Sequence, residues 1–422
     1  MFGECNTLGP FPLEIWMLVC KKLADKISQE PRLHHARQGP SSDLKALCRV
    51  SKGISPEAER ALFRSYDMRR LGTYGRIGMV DDGSGFRRHL RFLRTFLDRP
   101  QLSYVKEVSL NGPFDANLPD AILSRAVETY GRLAKRLGFE PAAFPLRAFP
   151  EAIFIDTEGT GRQPVELDSM LLLVLPLFPN LKSLTITANT SSGVPHWFDT
   201  LGRMREDGAI KPFGSVVDLR LGWNGMMGCY DLFPFGPLLA STPNVQTLQL
   251  WRCHAMKPNE RFIEQAGLSA FPRNIKALEM HACLFDDSTI RFLLQSCPNL
   301  ERFVYHSGGC APLLELFRFP TTIIVGYRVT ARQIFEALQA VKTTLKEIDI
   351  DLTTDCVGHE QGEPLTPADF DGFPFLERVR VARVGGTGAA AGGEDGVSPI
   401  LSMGDNATNL GVEACVEVWP HR

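Results

Sequence analysis

A short apolar pattern that recurs along the chain constrains its fold more than any other feature. In one copy, Ile275, Leu278 and Met280 occupy positions 1, 4 and 6, and Cys283 occupies position 9. Chance spacing of apolar residues would not repeatedly place Asn or Cys at the ninth position as well. Three further copies do so, namely Leu181/Leu184/Ile186/Asn189, Val216/Leu219/Leu221/Asn224 and Val245/Leu248/Leu250/Cys253.

The pattern also predicts which side chains are buried. Alternate side chains of a strand point to opposite faces, so positions 4 and 6 point inward and positions 3, 5 and 7 point outward. One unit cannot bury its apolar residues alone, but stacked units form a continuous core. The pattern is typical of leucine-rich repeats, and we predict an α/β leucine-rich-repeat solenoid in which outer helices cover a curved parallel sheet. Weaker copies are Val105/Val108/Leu110, Leu300/Phe303/Tyr305, Leu345/Ile348/Ile350 and Leu376/Val379/Val381.

Size and composition limit the classes of protein to which the chain can belong. The chain has 422 residues, of which 44% are apolar, and this is enough for an elongated array. Its formal charge of −2 indicates no general attraction to nucleic acid or to membrane surfaces. The N-terminus does not have the pattern of a signal peptide, and the longest apolar run, Met170 to Phe178, is too short to span a bilayer. Ten cysteines without a CxxC pair argue against a secreted disulfide framework and predict a cytoplasmic or nuclear protein.

Three helical stretches are predicted near the N-terminus. Pro12 suits the first turn of the first helix, Asp43 suits the N-cap of the second, and the third follows Pro56 and extends to Tyr66. Four short motifs follow one another along these stretches. They are Phe11-Pro12-Leu13-Glu14-Ile15, Asp43-Leu44, Leu47-Cys48-Arg49-Val50-Ser51-Lys52 and Ala61-Leu62-Phe63-Arg64.

These motifs resemble the F-box, and the join to the first repeat resembles that of filamentous fungal F-box proteins with degenerate leucine-rich repeats. The resemblance implies that the N-terminal helices bind a Skp-type adaptor, and through it a cullin, while the repeat array holds a protein substrate for ubiquitination. It also implies that the adaptor contacts come from Phe11, Pro12, Leu13, Ile15, Leu47, Val50 and Leu62. We predict an F-box-like domain at 8–66, a connecting helix at 67–103, the repeat array at 104–384, and a Gly-rich linker with a C-terminal tail at 385–422.

Outward strand positions 5 and 7 are the predicted substrate surface. Trp251 is the outlier among them, because a large aromatic side chain beside Arg220 and His281 has the composition of an interface hot spot. An alternative is that an outer loop or the C-terminal tail covers Trp251. The candidate substrate-binding residues are Arg220, Gln249, Trp251, Glu279, His281, His306, Asp349 and Asp351.

Groups with catalytic potential are sparse. Cys356 and His359 lie close together in sequence, which leaves a cysteine-dependent ubiquitin transferase as one alternative. A nucleophile and its base need geometry supplied by a scaffold, however, and these two lie in a Gly- and Glu-rich loop. We therefore predict a non-catalytic subunit without cofactor or metal. The other alternative is a repeat scaffold that binds proteins without any link to ubiquitin ligases.

Overall fold

Parallel strands joined by short helices make up the second half of the chain, and a helical cluster precedes them. The molecule is seen in a computed structural model and has an α/β fold with a parallel β-sheet. Its contacts divide the chain into two units that meet in sequence at residues 183 and 184, with residues 111–113 assigned to the second. The structure describes residues 13–29, 45–49, 55–67, 90–91, 93–94, 97, 104–111, 125, 128–129, 131–132, 135, 178–188, 213–223, 230–232, 235–255, 271–307, 329–352 and 365–382.

The first unit contains the predicted N-terminal helices. They are α1 (Leu13–Gln29), a short helical stretch at 45–49, and α2 (Ser55–Leu62). Cys20 of α1 and Ala58 of α2 are buried at the centre of this cluster. Burial raises the pKa of the Cys20 thiol, which therefore stays protonated at neutral pH. Around this centre pack the partly buried side chains of Trp16, Leu23, Leu47, Cys48, Ala61 and Leu62.

The prediction for the end of the third helix was wrong. The helix ends at Leu62, and strand β1 (Ser65–Asp67) pairs in parallel with β2 (Glu107–Asn111). The carbonyl of Arg64 accepts a hydrogen bond from the backbone N–H of Lys106 at 2.8 Å. Strand pairing therefore begins two residues after the helix ends. Tyr66 is buried there, with its ring centroid 6.3 Å from that of Phe178.

The remaining strands all run in parallel where their pairing is described. They are β3 (Ser183–Ala188), β4 (Asp218–Trp223), β5 (Tyr230–Asp231), β6 (Thr247–Trp251), β7 (Cys253–Ala255), β8 (Ala277–Phe285), β9 (Arg302–Ser307), β10 (Glu347–Asp351) and β11 (Arg378–Ala382). In the second unit, β4, β6, β8, β9, β10 and β11 neighbour one another in that order, and β7 pairs with β5 and β8.

The inward rows of the sheet agree with the predicted pattern. Position 4 of each strand lies opposite position 4 of its neighbour, and these side chains are at most 1% exposed. The row therefore forms one continuous core across the sheet. Its members are Leu219, Leu248, Leu278, Phe303, Ile348 and Val379. Leu184 of β3, at the same position, is also fully buried.

Strands β6, β8, β9, β10 and β11 begin with the same hydrogen-bond arrangement. The backbone N–H groups of Gln246 and Thr247 both donate to the carbonyl of Val217, at 2.8 and 3.0 Å. This shared carbonyl sets the register, because a slip of one residue would turn the apolar row outward. The arrangement recurs for Lys276/Ala277 on Gln246, Glu301/Arg302 on Lys276, Lys346/Glu347 on Glu301 and Glu377/Arg378 on Lys346.

The ninth-position cysteines are buried, as their structural role requires. Cys283 donates its S–H to the carbonyl of Leu250 on the neighbouring strand, at 3.6 Å. Both cysteines lie in strands, since Cys253 begins β7 and Cys283 lies within β8. A residue with a left-handed backbone bends the chain immediately before each cysteine. These residues are Arg252 (φ 54°), between β6 and β7, and Ala282 (φ 53°), within β8. Asn189 and Asn224 lie outside the described residues.

Helices α3 (Gly236–Ser241), α4 (Asp287–Ser296) and α5 (Ala331–Leu338) connect consecutive strands. Asp286 caps α4 by accepting the backbone N–H of Thr289 at 2.8 Å, and Thr330 caps α5. A turn of 3₁₀-helix at Gln339–Val341 follows α5, and a further 3₁₀-helix covers Pro367–Gly372. Within the described ranges, no helix has the length and apolar character needed to cross a membrane. The predicted linker and tail at 385–422 lie outside the described residues.

Candidate functional site

The candidate substrate-binding residues lie side by side on one face of the sheet, which we call the outward face. It is formed by the side chains at positions 3, 5 and 7 of strands β4, β6, β8, β9, β10 and β11. The strand register aligns each position into a row. Position 5 contributes Arg220, Gln249, Glu279, Val304, Asp349 and Arg380. Position 7 contributes Gly222, Trp251, His281, His306, Asp351 and Ala382.

Glu279 is the most connected residue of the outward face. Gln249 Nε2 donates to its Oε2 at 2.7 Å, and Arg302 Nη1 donates to its Oε1. His281 Nε2 lies 3.5 Å from Oε2. The hydrogen bond from His281 lowers the pKa of Glu279, and Arg302 and Gln249 add to this effect against the opposing effect of burial. Glu279 is therefore a carboxylate at neutral pH, although it is only 7% exposed.

Two histidines continue the contacts from Glu279 across the face. His281 Nδ1 and His306 Nδ1 are 3.2 Å apart, so that one donates a proton to the other. Their rings meet edge to face, with centroids 4.9 Å apart. His306 Nε2 lies 3.3 Å from Asp349 Oδ1. The outward face thus contains a continuous series of carboxylate, imidazole, imidazole and carboxylate.

Arg380 closes the far end of the series. Its Nη1 lies 3.2 Å from Asp349 Oδ1, and its Nη2 lies 3.2 Å from Asp351 Oδ2. Burial raises the pKa of Asp349, but the hydrogen bond and charge of His306, together with Arg380, outweigh burial, and the pKa falls below its ordinary value. Asp349 is consequently ionised at neutral pH, and Arg380 balances its charge.

Three charged residues at position 3 of β9, β10 and β11 were not among the predicted candidates. Arg302 Nε lies 3.1 Å from Glu347 Oε2, and Arg378 Nη1 lies 3.0 Å from Glu347 Oε1. All three occupy position 3, which points to the same face as positions 5 and 7. The period of the strand would have identified them, had position 3 been included.

Not every outward position is accessible. Val304 is 2% exposed, and Glu279 is 7% exposed. In the row, Val304 lies between Glu279 and Asp349, whose charged partners have long side chains. Val304 and Glu279 are therefore nearly covered in the free chain, although both occupy position 5.

Trp251 is the most exposed aromatic side chain of the outward face, with 55% of its surface accessible. Its ring centroid lies 5.4 Å from that of His281 on one side. On the other side the row contains Gly222, where a Cβ atom would lie 3.4 Å from the Cβ of Trp251. A flat apolar shelf therefore extends from the indole over Gly222.

A second accessible apolar surface lies on helix α1 of the first unit. Ile15, a predicted adaptor contact, is 41% exposed, and Met17 and Leu18 are 45% and 55% exposed. Leu47 and Leu62, also predicted contacts, pack into the helical cluster instead of standing free. Leu13 lies in the first turn of α1. Phe11, Pro12 and Val50 lie outside the described residues, as do Cys356 and His359.

Within the described residues, no group of three or more His, Cys, Asp or Glu side chains is arranged to hold a metal ion. Comparison with protein-family models gives no match for this chain, and comparison with curated proteins gives none either. The function must therefore be inferred from the two surfaces and from the N-terminal motifs.

Proposed function

We propose that this chain is the substrate-recruiting F-box subunit of a cullin-RING ubiquitin ligase. Its N-terminal helices bind a Skp-type adaptor, and the outward face of its leucine-rich-repeat array binds a protein substrate. Neither step requires chemistry in this chain, because recruitment acts by raising the effective concentration of the substrate near a ubiquitin-loaded enzyme. The ligase activity belongs to the complex.

The observation that carries the proposal is the exposed apolar surface of α1 within the region of F-box-like motifs. Ile15 and Leu18 lie on the side of the helix away from Cys20, which is buried, and Met17 is exposed at the border of that side. Large apolar side chains grouped on an exposed helix face are characteristic of a protein interface. Two lysines, Lys21 and Lys22, share this side and keep it accessible to a partner in water.

Adaptor binding tests the proposal directly. In the double variant Ile15→Asp/Leu18→Asp, co-purification with a Skp-type adaptor is expected to fall at least about tenfold, because two apolar side chains that the complex buries become charged. Both residues are substantially exposed, so the helical cluster should still fold, and circular dichroism of the variant checks this. The affinity is measured by titrating the purified adaptor.

The matched control is Lys21→Gln/Lys22→Gln. It changes the net charge by the same amount on the same side of α1, but it leaves the apolar side chains in place. The control is expected to bind the adaptor within about twofold of the unmodified chain. Undiminished binding by the Asp variant would contradict the proposal. If the unmodified chain binds no adaptor at all, a repeat scaffold without ligase association is the better description.

A further inference from the structure

Arg220 differs from the other arginines of the outward face. Arg302, Arg378 and Arg380 each contact a carboxylate of the face. Arg220 is exposed, and no carboxylate of the described residues lies within ion-pairing distance of its guanidinium. Among the described residues, Arg220 is therefore the arginine of the face without a carboxylate partner, and an anion from outside can bind there.

The shelf formed by Gly222 and Trp251 lies directly beside this cation. Arg220 and Gly222 are alternate residues of β4, so their side chains share a face and their Cα atoms are roughly 7 Å apart. Because Gly222 has no side chain, a bound group can reach the indole of Trp251 from above Gly222. A guanidinium and an open aromatic surface are thus available to one ligand.

The neighbouring acidic groups direct where an anion can lie. Asp218 is the other outward residue of β4 next to Arg220, but it lies on the side away from Gly222. On the Trp251 side the nearest carboxylate is Glu279, whose charge is balanced by Arg302. A negative group placed over Gly222 is therefore attracted by Arg220 and lies four residues along the strand from Asp218.

We propose that the substrate segment bound at this shelf contains an aspartate or glutamate next to an apolar side chain. The carboxylate pairs with Arg220, and the apolar side chain covers Trp251 above Gly222. This inference rests on the proposed function, in which the outward face binds a protein substrate. A single guanidinium matches one carboxylate in a two-point contact, whereas phosphorylated motifs are recognised by clusters of arginines.

The test uses the full-length chain to select from a displayed library of random peptides. Selected peptides are expected to be enriched in Asp or Glu adjacent to an apolar residue. The affinity of a selected peptide should fall about tenfold or more in Arg220→Glu and in Gly222→Val. Gly222 is outside the left-handed region, and a Cβ there meets only ordinary contacts, so Gly222→Val fills the shelf without disturbing the strand.

The matched control is Arg273→Glu, which makes the same charge change at an exposed arginine outside the outward face, and it should bind the peptide within about twofold of the unmodified chain. A peptide with Lys in place of its acidic residue should recover binding to Arg220→Glu. Failure to select peptides, absence of acidic enrichment, or equal binding by Arg220→Glu would each overturn the inference. Adaptor binding through α1 is measured separately, so failure of the shelf and failure of the proposed function give different results.

Discussion

Replacing Leu248 with alanine is expected to lower the free energy of unfolding by about 3 kcal/mol. Leu248 is fully buried in the inward row and lies in register between Leu219 and Leu278. The substitution removes apolar contacts and leaves a cavity that neighbours in the parallel sheet cannot fill, since the hydrogen-bonded strands hold their spacing. The loss is measured as a lower urea midpoint with an unchanged slope. The control Thr247→Ala, at a half-exposed outward position of the same strand, should change stability by less than about 0.5 kcal/mol.

Double variants test whether the row is one continuous core. Leu248→Ala and Leu278→Ala remove adjacent side chains, so their combined cost should differ from the sum by about 0.5 kcal/mol or more. Leu219→Ala and Leu278→Ala are separated by Leu248, and their costs should add. If the adjacent pair is additive as well, these leucines do not share a core and the stacked-repeat interpretation fails.

The inward row could be predicted because it depends only on the period of the strand. Leu219, Leu248 and Leu278 repeat at position 4 of a pattern that burial itself enforces, and the structure places them side by side. The outward neighbours follow from the same counting. This is why the ring centroids of Trp251 and His281, which belong to separate copies of the pattern, are only 5.4 Å apart.

The contacts among outward residues could not be predicted in the same way. Whether His306 approaches Asp349, or Arg302 approaches Glu279, depends on side-chain conformations that a spacing pattern does not contain. The bends at Arg252 and Ala282 were missed for a different reason. A left-handed conformation usually selects glycine, and neither residue signals it in the sequence. The F-box resemblance and the partners it implies remain predictions that the adaptor experiment must test.

The second large effect is expected at Glu279. Replacing it with glutamine keeps the shape but removes the charge that Arg302 and His281 contact, and we expect a loss of about 2 kcal/mol near neutral pH. Hydrogen bonds to a charged, nearly buried acceptor contribute more than neutral ones. The side chain of Arg302 is 44% exposed and also contacts Glu347. Water and this second carboxylate can therefore stabilise Arg302 in the variant, so the loss of stability is smaller than for a fully buried ion pair. The urea midpoints of both proteins measure it.

The pH dependence of this loss identifies its electrostatic origin. The folded protein lowers the pKa of Glu279 below its ordinary value of 4.5. Its stabilising contribution is therefore complete above pH 4.5 and disappears as the pH falls from 4.5 through the lowered pKa of the folded state. The difference in stability between the unmodified chain and Glu279→Gln should shrink over that range. Asp349 titrates in both proteins, so taking the difference removes its contribution.

The matched control is Glu347→Gln on the neighbouring part of the face. Glu347 also contacts Arg302, but its side chain is 24% exposed against 9% for Glu279. Solvent screens the more exposed pair, so this variant should lose less than about 1 kcal/mol. Equal losses for the two variants, or a loss for Glu279→Gln that does not change below pH 4.5, would show that Glu279 acts through packing alone. A nearly buried carboxylate contacted by Gln249, His281 and Arg302 should instead give the larger and the more acid-sensitive effect, because its charge is least accessible to water.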